Sequence, residues 1–403
     1  MKPNPTTTDG WTADAELAFL ERVERVVEEE IGPRANAVGR SDEFAWETFR
    51  ALCREGIIAT AFPVQYGGTE APLRLRVRIV ERIARVCSAA ASMVTGTDLA
   101  GRPIAASAPP ALAREIVPKL ASGELQSAFA LTDRQAGSDV AGLATTARRD
   151  GDGYLLNGVK RYITRAPVAD TFIVVARLEG VPGAKALCAL LVDRDTPGLE
   201  IGPTQEKMGF IGSPCAEVFL RDARVSADRL LGAEGEGFAI AQDTLIRARI
   251  GHAAMAVGRA QGALEIAAQY ATRRSTFGKR IGEHQGVQWM LGEMTARVEA
   301  ARCLVRSSAD RYDRRDPETA VYASMAKLYA TDLGMQVTTD CLQLLGGNGY
   351  LKDAPLERFM RDAKLNQIGE GTSQIHKTVI GRHVVRQAAG MQHPCLDPDV
   401  LGL

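Results

Sequence analysis

HQGVQWMLGEMTARVEAARCLVRSSADR, residues 284–311, carries Val287, Leu291, Met294, Val298, Ala301 and Val305 at alternating steps of four and three. That spacing lays the apolar side chains along one seam of a helix, as in a helix packed into a bundle. The next segment reads the same way. Asp316-Pro317-Glu318 predicts an N-cap followed by proline at the first helical position, and Gly346-Gly347 predicts the end. From Gly237 onward the chain therefore reads as long helices. At the other end, Leu20, Val23, Val27 and Ile31 recur at three and four residues and predict a helix ending near Gly32-Pro33. A second amphipathic stretch, Phe44 to Cys53, is closed by Gly56.

Between these helical regions the period changes. Asn157-Gly158 lies between Tyr154-Leu155-Leu156 and Tyr162-Ile163, which predicts a hairpin turn. Phe172 to Val175, Leu187 to Val192 and Val218 to Leu220 are further β-rich runs separated by Gly and Pro. The chain thus reads as multidomain α+β: a helical domain over residues 1–122, a small sheet domain over 123–233 and a helical bundle over 234–403.

A chain of 403 residues can bury more than one core, and 45% hydrophobic residues is ordinary for a globular protein. Lys plus Arg and Asp plus Glu balance at 49 each, so no long-range field gathers nucleic acid or an anionic membrane. A small-molecule partner is expected. The polar stretch Met1 to Gly10 lacks the apolar core of a secretory signal, and no apolar run approaches membrane-spanning length, so a soluble, cytoplasmic protein is expected. Cys53, Cys87, Cys188, Cys215, Cys303, Cys341 and Cys395 are scattered without a C-x-x-C pair, and the five histidines show no ligand spacing. No metal is expected. Gly346-Gly347-Asn348-Gly349 ends a helix rather than opening one after a strand, so a Rossmann reading fails.

Near the end of the chain, Gln367-Ile368-Gly369-Glu370-Gly371-Thr372-Ser373-Gln374-Ile375 sets a carboxylate between two glycines just before a helix that Thr372 can cap. Glu370 is expected to project into open space there. Read alone, it is either a first-turn carboxylate complementing the helix dipole or a chemical group presented to a ligand.

Its company bears on that choice. Phe62 to Gly68, Ala130 to Asp139, Asn157 to Thr164, Lys207-Met208-Gly209, Gly232 to Phe238, Arg274 to Lys279, His284-Gln285, Gln343 to Tyr350 and Arg361 to Lys364 stand in order along the chain before the Glu370 segment. In content, order and spacing this set resembles the acyl-CoA dehydrogenases over most of the chain. The resemblance implies an N-terminal α-domain, a central β-barrel-like domain and a C-terminal four-helix bundle, assembled as a homotetramer or homodimer. It implies FAD as cofactor, with Phe129, Leu131, Thr132, Gly137, Ser138, Tyr162, Ile163 and Thr164 beside the isoalloxazine. Arg274, Thr276, Phe277, Gln285, Gln343 and Gly347 would serve the dinucleotide tail in a neighbouring subunit, and Thr372 and Gln374 would also touch the cofactor. A flavin ring takes an apolar surface against one face and hydroxyl or backbone donors at its edge, which is the residue chemistry offered here.

For the reaction, the resemblance makes Glu370 the base that removes the α-proton of an acyl thioester while flavin takes the β-hydride. Ser138, Arg249, Gly369 and Gly371 would meet the substrate. A base carried by some relatives one residue before Arg249 is replaced here by Ala248. An electron-transfer flavoprotein is the family's usual acceptor. Three departures bear on the acyl group: Asp133-Arg134 in the flavin loop, Gly369 where tyrosine often precedes the base, which should widen the pocket, and Ile246 in place of a common aspartate. Arg134 to Ser138 also resembles members that oxidise acyl groups on carrier proteins, so an acyl-carrier-protein thioester is the alternative to coenzyme A. A flavin monooxygenase on the same fold is the alternative of another class; it needs no α-proton base, and Glu370 speaks against it.

Overall fold

The structure, a computed structural model, describes residues 10–389; Cys395 and the polar stretch before Gly10 lie outside the described residues. The first helix, α1 (Ala13–Val26), begins where the Thr12 side chain accepts the Ala15 N–H at 3.2 Å. It does not stop at Gly32-Pro33. A π turn over Val27–Ile31 carries the Gly32 N–H to the Val27 carbonyl, and α2 (Gly32–Val38) continues the rod. Pro33 has no N–H to donate, and the wider turn puts it in the first turn of a restarted helix, where none is needed. Four more helices complete this part: α3 (Trp46–Arg54), which ends before Gly56 as expected, α4 (Leu73–Ala84), α5 (Ser88–Ser107) and α6 (Pro110–Ser122).

The strands follow: β1 (Ser127–Ala130), β2 (Thr146–Asp150), β3 (Gly153–Thr164), β4 (Thr171–Leu178), β5 (Leu187–Asp193), β6 (Leu199–Ile201), β7 (Cys215–Ser226) and β8 (Leu230–Leu231). They form one eight-stranded sheet in the order β6-β7-β3-β2-β4-β5-β8, with β1 parallel to β4 off that path. Among the described residues no ladder joins β6 to β8, so the barrel-like domain is an open sheet. Alternation along β4 divides its side chains between two cores. Phe172, Val174 and Ala176 point into the sheet's own core, whereas Ile173 and Val175 join the core shared with the helices.

Asn157-Gly158 is not a turn. Both residues lie inside β3, where the register against β7 slips between Leu156 and Gly158. Gly158 takes φ +149°, and a Cβ there would lie 2.5 Å from Thr145 Oγ1. The glycine serves a bulge at a close backbone crossing, and the Asn157 side chain bonds across to Asp222. The actual hairpin joins β2 to β3 through Gly151-Asp152, with Asp150 paired to Gly153 and Gly151 at φ +57°.

Beyond the sheet, α7 (Gly237–Ala271) runs for 35 residues and is buried along most of its length. It packs on α4, α5, α8 (Gln285–Asp313) and α9 (Thr319–Leu345), so the bundle and the N-terminal helices share one core. At Gly258 and Gly262 an added Cβ would fall 2.1 Å from the Glu81 carbonyl and 1.9 Å from that of Arg85. These two positions let the end of α4 touch the α7 backbone. A buried Asp98 on α5 then ties the three helices, accepting Arg76 Nη1 at 2.5 Å and Arg247 Nη2 at 2.6 Å. Burial alone would raise its carboxyl, but those guanidiniums hold it well below the usual carboxylate range.

A two-stranded ribbon, β9 (Ser275–Thr276) with β10 (Lys279–Arg280), separates α7 from α8. The helix expected to open at Pro317 begins at Thr319. Asp316 Oδ1 accepts the Glu318 N–H at 2.8 Å and closes a turn first, delaying the helical bonds. Gly346 at φ +58° ends α9, and Gly347 also opens one short turn, α10 (Gly347–Tyr350), ahead of α11 (Pro355–Asn366) and α12 (Ser373–Ala388).

Candidate functional site

The link between α11 and α12 is short and pinned. Asp332 on α9 accepts Gln367 Nε2 at 2.7 Å and Ser373 Oγ at 2.8 Å, and the Thr372 hydroxyl accepts the Ile375 N–H at 3.3 Å as the expected cap. Within the link, Glu370 has φ +58° and Gly371 φ +98°. Two successive left-handed residues reverse the chain, and only the second is a glycine. Glu370 holds an uncommon conformation, of the kind that surrounding contacts must impose.

The consequence corrects the expectation of open space: the Glu370 side chain is turned inward and is 17% exposed. Arg249 on α7 donates Nε to the Glu370 carbonyl at 3.3 Å. The fully buried Lys327 on α9 donates to the Gly371 carbonyl at 2.6 Å. His252, one turn after Arg249, places Nε2 3.9 Å from Glu370 Oε1, and the buried His376 of α12 lies against Gly371. Burial raises the Glu370 carboxyl above its ordinary value, opposed by Arg249 and Lys327. Burial also pushes Lys327 down to about 8. The rings of His252 and His376 fall to about 3 by burial and by the nearby cations, so both are neutral at neutral pH. The Glu370 N–H has no acceptor among the described residues. Taken together, these contacts place a carboxylate of raised basicity next to an unused backbone donor.

Gly369 borders this group. A Cβ there would stand 3.6 Å from the Leu365 carbonyl and 3.8 Å from His252 Cε1, so the room left by glycine is bounded by the imidazole. Ala248 is buried, and Ile246 is partly buried against the shared core.

A second set of predicted residues meets on the sheet. The Arg161 N–H donates to the Thr132 carbonyl at 2.8 Å, and Lys160 Nζ reaches the Leu131 carbonyl at 2.8 Å and Asp133 Oδ1 at 2.6 Å. These bonds clamp the loop carrying Leu131, Thr132, Gly137 and Ser138 to the end of β3, which carries Tyr162, Ile163 and Thr164. Phe129 lies on β1 beside them, half-buried. Gly137, Ser138 and Thr164 are exposed, as is Tyr162, held at φ +58°. Ile163 and Leu131 are buried behind this ledge. A Cβ on Gly137 would meet only Thr132 Cγ2, at 4.0 Å, so a planar ring can approach the backbone there. Exposed hydroxyls around an apolar ledge fit the edge and face of a flavin.

The third set stays apart. Arg274, Phe277, Gln285, Gln343 and Gly347 are exposed and Thr276 is half-buried, on the β9–β10 ribbon, the start of α8 and the end of α9. Phe277 is 96% exposed. Among the described residues no hydrogen bond joins this set to the Thr132 loop. Gln374 is exposed on the first turn of α12.

Sequence reasoning missed His252, Lys327, Asp332 and Asn366, whose Nδ2 lies 2.9 Å from His252 Nδ1. His252 was the accessible one, because it lies three residues after Arg249 on one helix and so shares its face. Lys327 and Asp332 reach the link only through the packing of α9, for which the sequence carries no local signal. A cavity of about 350 Å³ lies elsewhere, among Glu24, Glu81, Arg85, Glu265 and Arg302, and none of the candidate residues lines it.

Three family models match the chain in succession: acyl-CoA dehydrogenase N-terminal domain over residues 13–124, middle domain over 128–223 and C-terminal domain over 235–385. The chain is 40% identical over 367 residues to cyclohex-1-ene-1-carbonyl-CoA dehydrogenase of Geobacter metallireducens, covering 90% of this chain and 96% of that one. It is 38% identical over 364 residues to a probable acyl-CoA dehydrogenase of Mycobacterium tuberculosis, covering 90% and 94%. Its fold matches butyryl-CoA dehydrogenase from Megasphaera elsdenii with a TM-score of 0.89 at 33% identity, over 96% of this chain and 100% of that one.

Proposed function

Because this chain belongs to the acyl-CoA dehydrogenase family of oxidoreductases acting on CH–CH groups, we propose that it desaturates an acyl-CoA between Cα and Cβ with Glu370 as base and FAD as cofactor. The observation that carries this reading is the Glu370 carboxylate itself, turned inward by successive left-handed residues and raised in basicity by burial. A dipole-compensating carboxylate would gain nothing from burial. In the forward step a Glu370 oxygen takes the α-proton, an O–H bond forms, and the C–H electron pair moves toward the thioester carbonyl. The unpaired Glu370 N–H is suited to hold the oxygen on which charge then develops. Arg249 keeps the Glu370 carbonyl, and so the link, in place.

The Thr132–Ser138 loop and the Tyr162–Thr164 segment would hold the flavin ring. Bound there, FAD supplies the acceptor for the β-hydride. Arg274, Thr276, Phe277, Gln285, Gln343 and Gly347 would meet the dinucleotide tail of a neighbouring copy in a homodimer or homotetramer, which accounts for their exposure in the single chain. An electron-transfer flavoprotein would reoxidise the enzyme. The relative named for cyclohex-1-ene-1-carbonyl-CoA makes a cyclic acyl group a substrate to test beside straight chains.

The test is anaerobic bleaching of the flavin by a panel of straight-chain, branched and cyclic acyl thioesters on coenzyme A and on acyl carrier protein, in wild type and in Glu370→Gln. The variant should keep flavin and bind thioester while its reduction rate falls by roughly 2 to 4 orders of magnitude, as for a lost general base. Wild-type reduction rates in Glu370→Gln would overturn the reading.

A further inference from the structure

We propose that His252 is a positioning residue for the Glu370 carboxylate: Asn366 orients its ring, and the ring presents Nε2–H to the oxygen that takes the proton. The assignment rests on the reading of Glu370 as base. Three observations lead to it. Asn366, at the end of α11 and fully buried, places Nδ2 2.9 Å from His252 Nδ1. An amide N–H donating there fills the Nδ1 lone pair and leaves the ring proton on Nε2. That nitrogen is the one 3.9 Å from Glu370 Oε1. The gap is longer than a hydrogen bond, so the contact forms when the carboxylate turns toward the ring. Finally, the imidazole borders the residue before the base: a Cβ at 369 would stand 3.8 Å from His252 Cε1, in ordinary contact, so a bulkier side chain there would press on the ring.

The surroundings keep the ring a neutral donor. Glu370 is faced by Arg249 and His252 from α7 and by Lys327 from α9, and His376 from α12 lies against the neighbouring Gly371. His252 is faced by Lys327 and by Arg259, besides Glu370 itself. Burial first, and then the nearby cations Lys327 and Arg259, disfavour a positive charge on the imidazole, as its lowered pKa reflects. A neutral N–H donor stabilises the ionised carboxylate without forming a permanent ion pair that would quench the base.

The experiment uses the holoenzyme and two readouts against pH: flavin reduction by a thioester that bleaches the wild type, and infrared titration of the Glu370 carboxyl, identified as the band absent in Glu370→Gln. In His252→Leu both readouts should move to higher pH by roughly one unit, the size of one lost donor to a charged acceptor. On the acid side of the carboxyl's midpoint reduction should fall about tenfold at a given pH, with flavin content unchanged. His252→Gln, which keeps a donor near Nε2, should recover most of the loss, and Asn366→Leu should shift both readouts the same way by less. Should His252→Leu fail to fold, the Gln and Asn366 variants decide. Wild-type pH dependence in all folded variants would overturn the assignment, as would loss of rate with no movement of the carboxyl titration, which is what a packing role gives. If no thioester bleaches the wild type, the proposed function fails, while the infrared titration still decides the role of His252.

Discussion

Lys160→Met should loosen the flavin-side loop, and the size of the effect follows from the bonds it breaks. The lysine is fully buried and donates to the Leu131 carbonyl and to Asp133 Oδ1; Asp133 is 4% exposed. Methionine keeps the unbranched stem and removes the charge, leaving a buried carboxylate without its cation. Breaking a buried pair in that way costs about 3 to 5 kcal/mol. Asp133 retains the Ala144 N–H at 2.6 Å, the Thr145 N–H at 2.7 Å and the Thr145 hydroxyl at 2.8 Å. Those donors place the loss at the low end, about 3 kcal/mol. Urea unfolding followed by circular dichroism and by flavin release should show both transitions moving together, because the same loop carries Thr132 and Ser138. Adding Asp133→Asn removes the stranded charge and keeps an acceptor for the amides, so the double variant should lose only about 1 kcal/mol. A single variant within about 0.5 kcal/mol of wild type, or a double variant worse than the single, would refute the reasoning.

Gly158→Ala should cost about 2 kcal/mol or more, measured by thermal unfolding, since the new methyl meets Thr145 at a φ that favours glycine; an unchanged melting temperature would dismiss the close crossing as the reason for glycine there. Gly369→Tyr should displace His252 and narrow the site, so that the substrate panel shifts toward slimmer acyl groups; an unchanged profile removes Gly369 from specificity. Arg274→Ala should lose flavin and weaken the oligomer together, seen by absorbance and sedimentation, whereas a monomer with full flavin content would dismiss the shared site.

Which parts of this molecule were legible in the residue order follows from how local their physics is. The seam from Val287 to Val305 is a repeat of three and four, and the helix it predicts runs from Gln285 to Asp313. β4 announced itself by a β-branched run, β5 by a continuous apolar one from Leu187 to Val192, and Thr372 by its place before α12. Glycine was less transparent, because a turn and a bulge demand the same freedom: Asn157-Gly158 read as a hairpin, while the true one took Gly151-Asp152. Gly32-Pro33 read as a stop because the missing donor is local, whereas the π turn that bypasses it depends on how the rod packs. At the site, the sequence singled out Glu370 and, through Arg249, the helix that faces it. The inward aim of the carboxylate, and its company of His252, Lys327 and Asn366, were decided only in three dimensions. Those residues come from α7, α9 and α11, brought together by packing whose range no sequence period reports, and burial at their meeting point sets the charge each one carries.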